Sequence, residues 1–159
     1  MRVILSGGGT GGHVYPAIAI ANEIKSNNPD AEILFVGTRS GIESEIVPKY
    51  GYRLETVTVQ GFKRKVDLEN VKRVFKIMKG LHQTKKIVKT FKPDVVIGTG
   101  GYVSGPVLFN ASMKKIPCVV HEQNSFPGVT NKILSKTVTK VLTSFEDSHA
   151  DSQNLVSTN

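Results

Sequence analysis

An α/β fold with a doubly wound, mainly parallel sheet is what this sequence predicts, on three observations. Short apolar runs alternate with longer helical patterns along the chain. The first run, Val3-Ile4-Leu5, leads into Gly7-Gly8-Gly9-Thr10-Gly11-Gly12-His13 and then an apolar helical stretch. A second run, Val95-Val96-Ile97, leads into another glycine loop, Gly98-Thr99-Gly100-Gly101-Tyr102-Val103-Ser104-Gly105-Pro106.

Taken in order, the first strand and glycine turn are followed by a helix from Val14 onward, with Pro16 expected near its first turn. Ile33-Leu34-Phe35-Val36, closed by Gly37, reads as a buried second strand. Residues 41–50 read as a short helix with a late break at Pro48. Leu54 to Val59 alternates as a third strand. A basic loop, Gln60 to Lys65, precedes a long helix over about 67–91. Val95 to Ile97 is the fourth strand, 106–115 a helix, Cys118-Val119-Val120 the fifth strand, 128–136 a helix and Val138 to Thr143 the sixth strand. From about 146 the chain is polar and aperiodic, so 1–145 reads as one domain and 146–159 as a linker or tail. Six strands of this kind fit a Rossmann-like order, 3-2-1-4-5-6. Ligands of such sheets bind beyond the carboxyl ends of the strands, at the switch between strands 1 and 4, where both glycine loops lie.

The 159 residues suffice for one good core, and the composition, 39% hydrophobic, is that of an ordinary globular domain. One cysteine, Cys118, excludes an internal disulfide and fits a reducing compartment. No apolar run approaches the roughly 20 residues of a membrane span, and Met1-Arg2-Val3 starts a strand rather than a signal peptide. A net charge of +8 favours an anionic partner: nucleic acid, an acidic membrane surface or a phosphorylated substrate.

Glycines let the backbone turn sharply and approach a ligand, and the helix behind them offers unpaired N–H groups and a positive dipole end. Gly7, Gly9 and Gly12 satisfy G-x-G-x-x-G, a weak signal alone. A nicotinamide site also wants an acid after the second strand, but Gly37-Thr38-Arg39-Ser40 has none. Arg39 would suit a 2′-phosphate and keeps an NADP-binding oxidoreductase domain as an alternative. The second glycine loop points instead to an anion gripped from two sides. His13, at the exit of the first loop, is a candidate base, since imidazoles exchange protons near neutral pH. His121 and Glu122 form a second polar cluster, or merely end a buried strand; Asn124 and Asn131 suit sugar hydroxyls or amides. No metal-cage spacing and no serine nucleophile elbow is present in the sequence. On the long helix, Val74, Ile77, Leu81, Val88 and Phe91 should face the sheet. Val71, Phe75 and Met78 form a second stripe, flanked by Lys72, Lys76, Lys79 and Lys86. That stripe is either an interfacial membrane patch or the edge of a broad core face.

Gly-Gly-Thr-Gly-Gly-His at 8–13, Gly-Gly-Tyr-Val-Ser-Gly-Pro at 100–106, His-Glu-Gln-Asn at 121–124 and Thr-Asn at 130–131 together resemble the MurG family of N-acetylglucosaminyltransferases, over residues 2 to about 145. The resemblance implies the first, acceptor-binding half of a two-domain GT-B enzyme of peptidoglycan synthesis. Its acceptor would be lipid I, and its donor, UDP-N-acetylglucosamine, would bind mainly to a C-terminal donor domain. The product would be lipid II, made by inversion without a bound metal or other cofactor. By the same resemblance, Gly9, Thr10, Gly11, Gly12, Gly100, Gly101, Tyr102 and Ser104 would hold the acceptor diphosphate. His13 would be catalytic, and Thr10, His121, Glu122, Asn124 and Asn131 would line the cleft. Val71, Lys72, Phe75, Lys76, Met78 and Lys79 would rest on the anionic cytoplasmic face of the membrane, with no role for nucleic acid. A non-catalytic lipid-diphosphate or partner-binding module of a split transferase is the other reading left open.

Overall fold

In the computed structural model the described residues are 1–59, 69–145 and 155–157, with side chains left out of account at 69–74, 76 and 155–157. The strands are β1 (Arg2–Gly7), β2 (Glu32–Thr38), β3 (Arg53–Val57), β4 (Val95–Gly100), β5 (Cys118–Glu122), β6 (Lys140–Thr143) and β7 (Leu155–Ser157). The helices are α1 (Gly11–Asn27), α2 (Glu43–Lys49), α3 (Glu69–Phe91), α4 (Ser104–Ser112) and α5 (Val129–Leu134). All strands pair in parallel, in the order β3-β2-β1-β4-β5-β6-β7. The expected order of six strands holds, and a seventh extends it.

Strand alternation sorts the core into two faces. Val3 and Leu5 of β1, with Ile33 and Phe35 of β2, pack with Val14, Ala17, Ile18 and Ala21 of α1 and Val47 of α2. Ile4, Leu34 and Val36 belong to the opposite cluster, with Val88 and Phe91 of α3 and Val107, Leu108 and Ala111 of α4. Neighbouring residues of one strand serve opposite faces because successive side chains alternate. That is why the central strands read as unbroken apolar runs. Across the second face Asn110 Nδ2 donates to the Leu81 carbonyl (2.9 Å), Thr84 Oγ1 (2.7 Å) and the Pro106 carbonyl (3.1 Å), tying α3 to α4.

Three features depart from the expectations. Pro16 is the sixth residue of α1, not a first-turn residue. Its absent N–H therefore leaves the Gly12 carbonyl without a helix donor; Gly12 is exposed, so water can serve instead. The helix expected at 106–115 begins at Ser104, because the Ser104 hydroxyl and N–H both donate to the Gly101 carbonyl (2.8 and 3.3 Å) and close its first turn. Leu155–Ser157, expected in a tail, pairs with Val141–Thr143. Three residues carry no readable period; the strand exists because the β6 edge offers backbone partners. The basic loop at 60–65 lies outside the described residues.

Cys118 is 1% exposed, and burial pushes its thiol up to about 11. Almost no thiolate is present at neutral pH, and the thiolate is the reactive form. The folded protein is expected to resist a thiol reagent at pH 7.5 and to react stoichiometrically only once unfolded in urea. Rapid labelling of the native chain would show that the β5 face opens.

Candidate functional site

The centre of the site is the junction of β1 and β4, where the sheet order reverses. The two strands run in register until a shift between Ser6 and Gly7, beyond which Gly7 pairs with Gly100. Their loops then touch: the Gly8 N–H donates to the Gly100 carbonyl (3.3 Å). At Gly101, with φ +84°, a Cβ would strike the Gly8 carbonyl oxygen. At Gly100, with φ +111°, a Cβ would overlap the His13 ring. Both positions therefore need glycine on two counts, conformation and space.

His13 is the third residue of α1 and is gripped by Thr99 from two sides. The buried Thr99 hydroxyl donates to the His13 carbonyl (2.6 Å), and the Thr99 carbonyl lies 3.0 Å from His13 Nδ1. The Gln123 amide nitrogen stands 2.8 Å from the same Nδ1. Thr10 precedes the helix in extended conformation and makes no side-chain cap. The first-turn N–H groups of Gly11 and Gly12 thus have no intrahelical acceptor and sit at the positive end of a 17-residue helix. An imidazole beside such donors is suited to proton transfer next to a bound anion.

Two buried carboxylates shape the loops. Glu43 accepts from the Gly9 N–H (2.9 Å), the Thr38 N–H (2.8 Å) and the Thr38 hydroxyl (2.7 Å). Burial opposes its charge, but these hydrogen bonds together outweigh burial and hold its pKa below the usual carboxylate value. Glu122 accepts from the Asn124 N–H (3.0 Å) and Nδ2 (2.9 Å) through Oε1, and from the Gly128 N–H (3.1 Å) and Asn131 Nδ2 (2.8 Å) through Oε2. His121 beside it has its pKa lowered by burial, partly opposed by the Glu122 charge; its Nε2 lies 3.3 Å from Ser144 Oγ.

The cleft between the loops holds about 360 Å³ and is lined by Gly8, Gly9, Thr10, His13, Gly100, Gly101, Tyr102 and Gly128–Asn131. It gathers most of the residues expected at the site. Others have different work. The Gly9 N–H is committed to Glu43, and the Ser104 hydroxyl, fully buried, to Gly101. Glu122, expected to line the cleft, is 1% exposed and clamps the 124–131 loop instead. Gly11, Gly12, His121 and Asn124 are not among the cleft-lining residues, though the two glycines adjoin Thr10 and His13, which are. Asn131 lines the cleft while its amide nitrogen serves Glu122, and its Oδ1 is buried without a hydrogen-bond partner. Thr99, Gln123 and Glu43 were not singled out by sequence. The glycines at 8, 37 and 41, each of which leaves room for the Glu43 side chain, are the signal that could have found the last.

Size does not single out this cleft. Grooves of about 420 and 480 Å³ run beside α3; Arg39 lines the larger with Lys79, away from His13. Neither has a glycine loop or a helix N-terminus. On α3, Phe75 and Met78 are 68% and 61% exposed and Lys79 is exposed, whereas Val88 and Phe91 are buried. The side chains of Val71, Lys72, Val74 and Lys76 lie outside the described residues. Among the described residues no helix is long and apolar enough to cross a membrane.

Comparison with known proteins decides the family. Residues 3–143 match the glycosyltransferase family 28 N-terminal domain. The chain belongs to that family. A Clostridioides difficile (strain 630) relative, named UDP-N-acetylglucosamine–N-acetylmuramyl-(pentapeptide) pyrophosphoryl-undecaprenol N-acetylglucosamine transferase, is 82% identical over 94% of this chain. A Thermoanaerobacter sp. (strain X514) protein of the same name is 59% identical over 93%. This family 28 domain spans only 36% and 41% of those two relatives. Among solved structures, Acinetobacter baumannii MurG matches with a TM-score of 0.82 at 30% identity, over 98% of this chain and 45% of that one. A Staphylococcus aureus MnaA–UDP structure shares the fold, with a TM-score of 0.70 at 9% identity, over 99% of this chain and 44% of that one. The α/β, Rossmann-like half of a GT-B glycosyltransferase is thus the architecture of this family 28 domain.

Because Glu43 is held below its ordinary value of 4.5, it stabilises the domain above about pH 4.5, and this contribution is lost as pH falls through the lower, folded-state value. Glu43→Gln is expected to lower stability at pH 7 by about 1–3 kcal/mol. The gap from the native sequence should close at acid pH, as read from urea midpoints. A gap unchanged down to pH 3 would mean the charge is irrelevant.

Proposed function

We propose that this domain is the acceptor-binding half of an inverting transferase that joins N-acetylglucosamine from UDP-N-acetylglucosamine to lipid I, giving lipid II. One observation carries the reading: His13 is fixed at the N-terminus of α1, in a cleft walled by two glycine loops. The acceptor diphosphate is placed against the Gly11 and Gly12 N–H groups and the loop at Gly100–Tyr102, where helix donors have no intrahelical acceptor. His13 takes the proton of the C4 hydroxyl of the muramyl sugar. That oxygen forms the new bond to the anomeric carbon as the bond to UDP breaks, with inversion to a β-1,4 linkage. We assign the donor mainly to a second domain outside this chain, which spans less than half the length of the two curated relatives. Glu122 and Ser104 support the site through the loops they hold.

The test is transfer from UDP-N-acetylglucosamine to a lipid I analogue, by this chain alone and with a separately expressed donor half. Transfer only with the donor half is the expected result. In that pair His13→Ala should cost about 10²–10⁴ in turnover, the worth of a general base. A loss within about twofold would remove His13 as base. Lipid I binding without transfer in either arrangement would favour a binding module.

We also place Phe75 and Met78, with Lys79 beside them, against the anionic inner face of the cell membrane. Exposed apolar groups near a cation gain both burial and headgroup attraction there. Binding to vesicles containing phosphatidylglycerol is expected to fall at least several-fold in the Phe75→Ser/Met78→Ser double variant. Unchanged binding would assign α3 no part in it.

A further inference from the structure

The Gln123 amide meets the His13 imidazole in a way that no single proton arrangement satisfies. His13 Nδ1 lies 3.0 Å from the Thr99 carbonyl oxygen and 2.8 Å from the Gln123 amide nitrogen. A carbonyl only accepts, so the first contact is a hydrogen bond only when Nδ1 carries a proton. An amide NH₂ only donates, so the second is a hydrogen bond only when Nδ1 is bare. One nitrogen cannot meet both conditions.

Turning the Gln123 amide by a half-turn about its last bond removes the conflict, because the two ends of the amide are nearly the same shape. Gln123 Oε1 is buried and makes no hydrogen bond where it stands, so the turn forfeits none. Oε1 then faces Nδ1, and the ring N–H has an oxygen acceptor on two sides. The backbone carrying this amide is itself held, since the residues flanking Gln123 are Glu122 and Asn124, joined by two hydrogen bonds.

We propose that Gln123 is a positioning residue that, with the Thr99 carbonyl, keeps the His13 proton on Nδ1 and so leaves Nε2 as the unprotonated ring nitrogen. Nε2 makes no hydrogen bond to the described residues, and His13 lines the cleft. The catalytic meaning of this rests on the transfer reading: Nε2 is the atom that receives the hydroxyl proton. The tautomer itself is a property of the domain and is measurable without donor or acceptor.

The experiment is a long-range ¹H–¹⁵N correlation spectrum of the ¹⁵N-labelled 159-residue chain, at a pH where the ring is neutral. The His13 signals are assigned by replacing His82, His121 and His149 one at a time. A protonated Nδ1 and a bare Nε2 are expected. Gln123→Glu, which can only accept, should keep that pattern. Gln123→Met, which can do neither, should lower the ratio of Nδ1–H to Nε2–H tautomer by about two- to tenfold, the worth of one net hydrogen bond. A proton on Nε2 in the unsubstituted chain would overturn the proposal. So would a Met variant with an unchanged ratio, since Thr99 would then suffice alone. Loss of transfer in His13→Ala is read separately, so the tautomer assignment and the transferase reading can fail independently.

Discussion

The site depends first on a buried negative charge that makes no ion pair among the described residues. Glu43 sits at the start of α2, 1% exposed, and its carboxylate is satisfied by two backbone N–H groups and one hydroxyl. A charge in such a place persists only if donors replace the water it lost. Gly8, Gly37 and Gly41 all crowd its side chain, and a Cβ at any of them would collide with it. Three separate stretches of chain are thereby made to converge: the first glycine loop, the end of β2 and the turn into α2. The loop that faces the cleft is shaped during folding rather than by a ligand.

Glu122 does for the far wall what Glu43 does for the near one. Between the two carboxylates, His13 is held through Thr99, a residue of the neighbouring strand. The result is a site in which charged side chains support and backbone donors, with one imidazole, are left to act. Such a division suits recognition of an anion whose charge must be met without neutralising the base. A lysine or arginine in the cleft would bind phosphate more tightly but would also lower the basicity of a nearby imidazole. The side chains that shape this site hold the loops from behind, while among the cleft-lining polar side chains Asn131 is buried and His13 and Thr130 are half-buried.

Much of this was legible in the residues. Strand order followed from alternating apolar runs, and the cleft from two glycine loops after strands 1 and 4. Roles within the cleft were less legible, for physical reasons. Glu122 and Ser104 belong to the polar and glycine-rich motifs that read as cleft, yet hydrogen bonding draws both inward. Glu43 escapes the sequence pattern because a ribose-binding carboxylate belongs at 37–40, directly after the second strand. It enters from the next helix and serves the backbone instead. Thr99 and Gln123 act across the sheet, 86 and 110 residues from His13, and local pattern carries no trace of such partners. Pro16 and β7 show the same limit: one depends on where a helix begins, the other on an edge waiting to be paired.

The pairing of β1 with β4 has a consequence for how the chain reaches this state. Val3 lies beside Val95, so the central strand cannot gain its second neighbour until the chain has been made as far as β4. During synthesis β1 and β2 can pair early, through a short α1 crossover, while the other edge of β1 waits. Contacts this distant in sequence are the slow ones to form, since a long loop must close before they give any return. The interval leaves a hydrophobic strand edge open in the nascent polypeptide, the kind of exposure on which chaperones act. His13 gains its tether to Thr99 only when that interval ends, so the geometry around its ring waits on β4 joining the sheet.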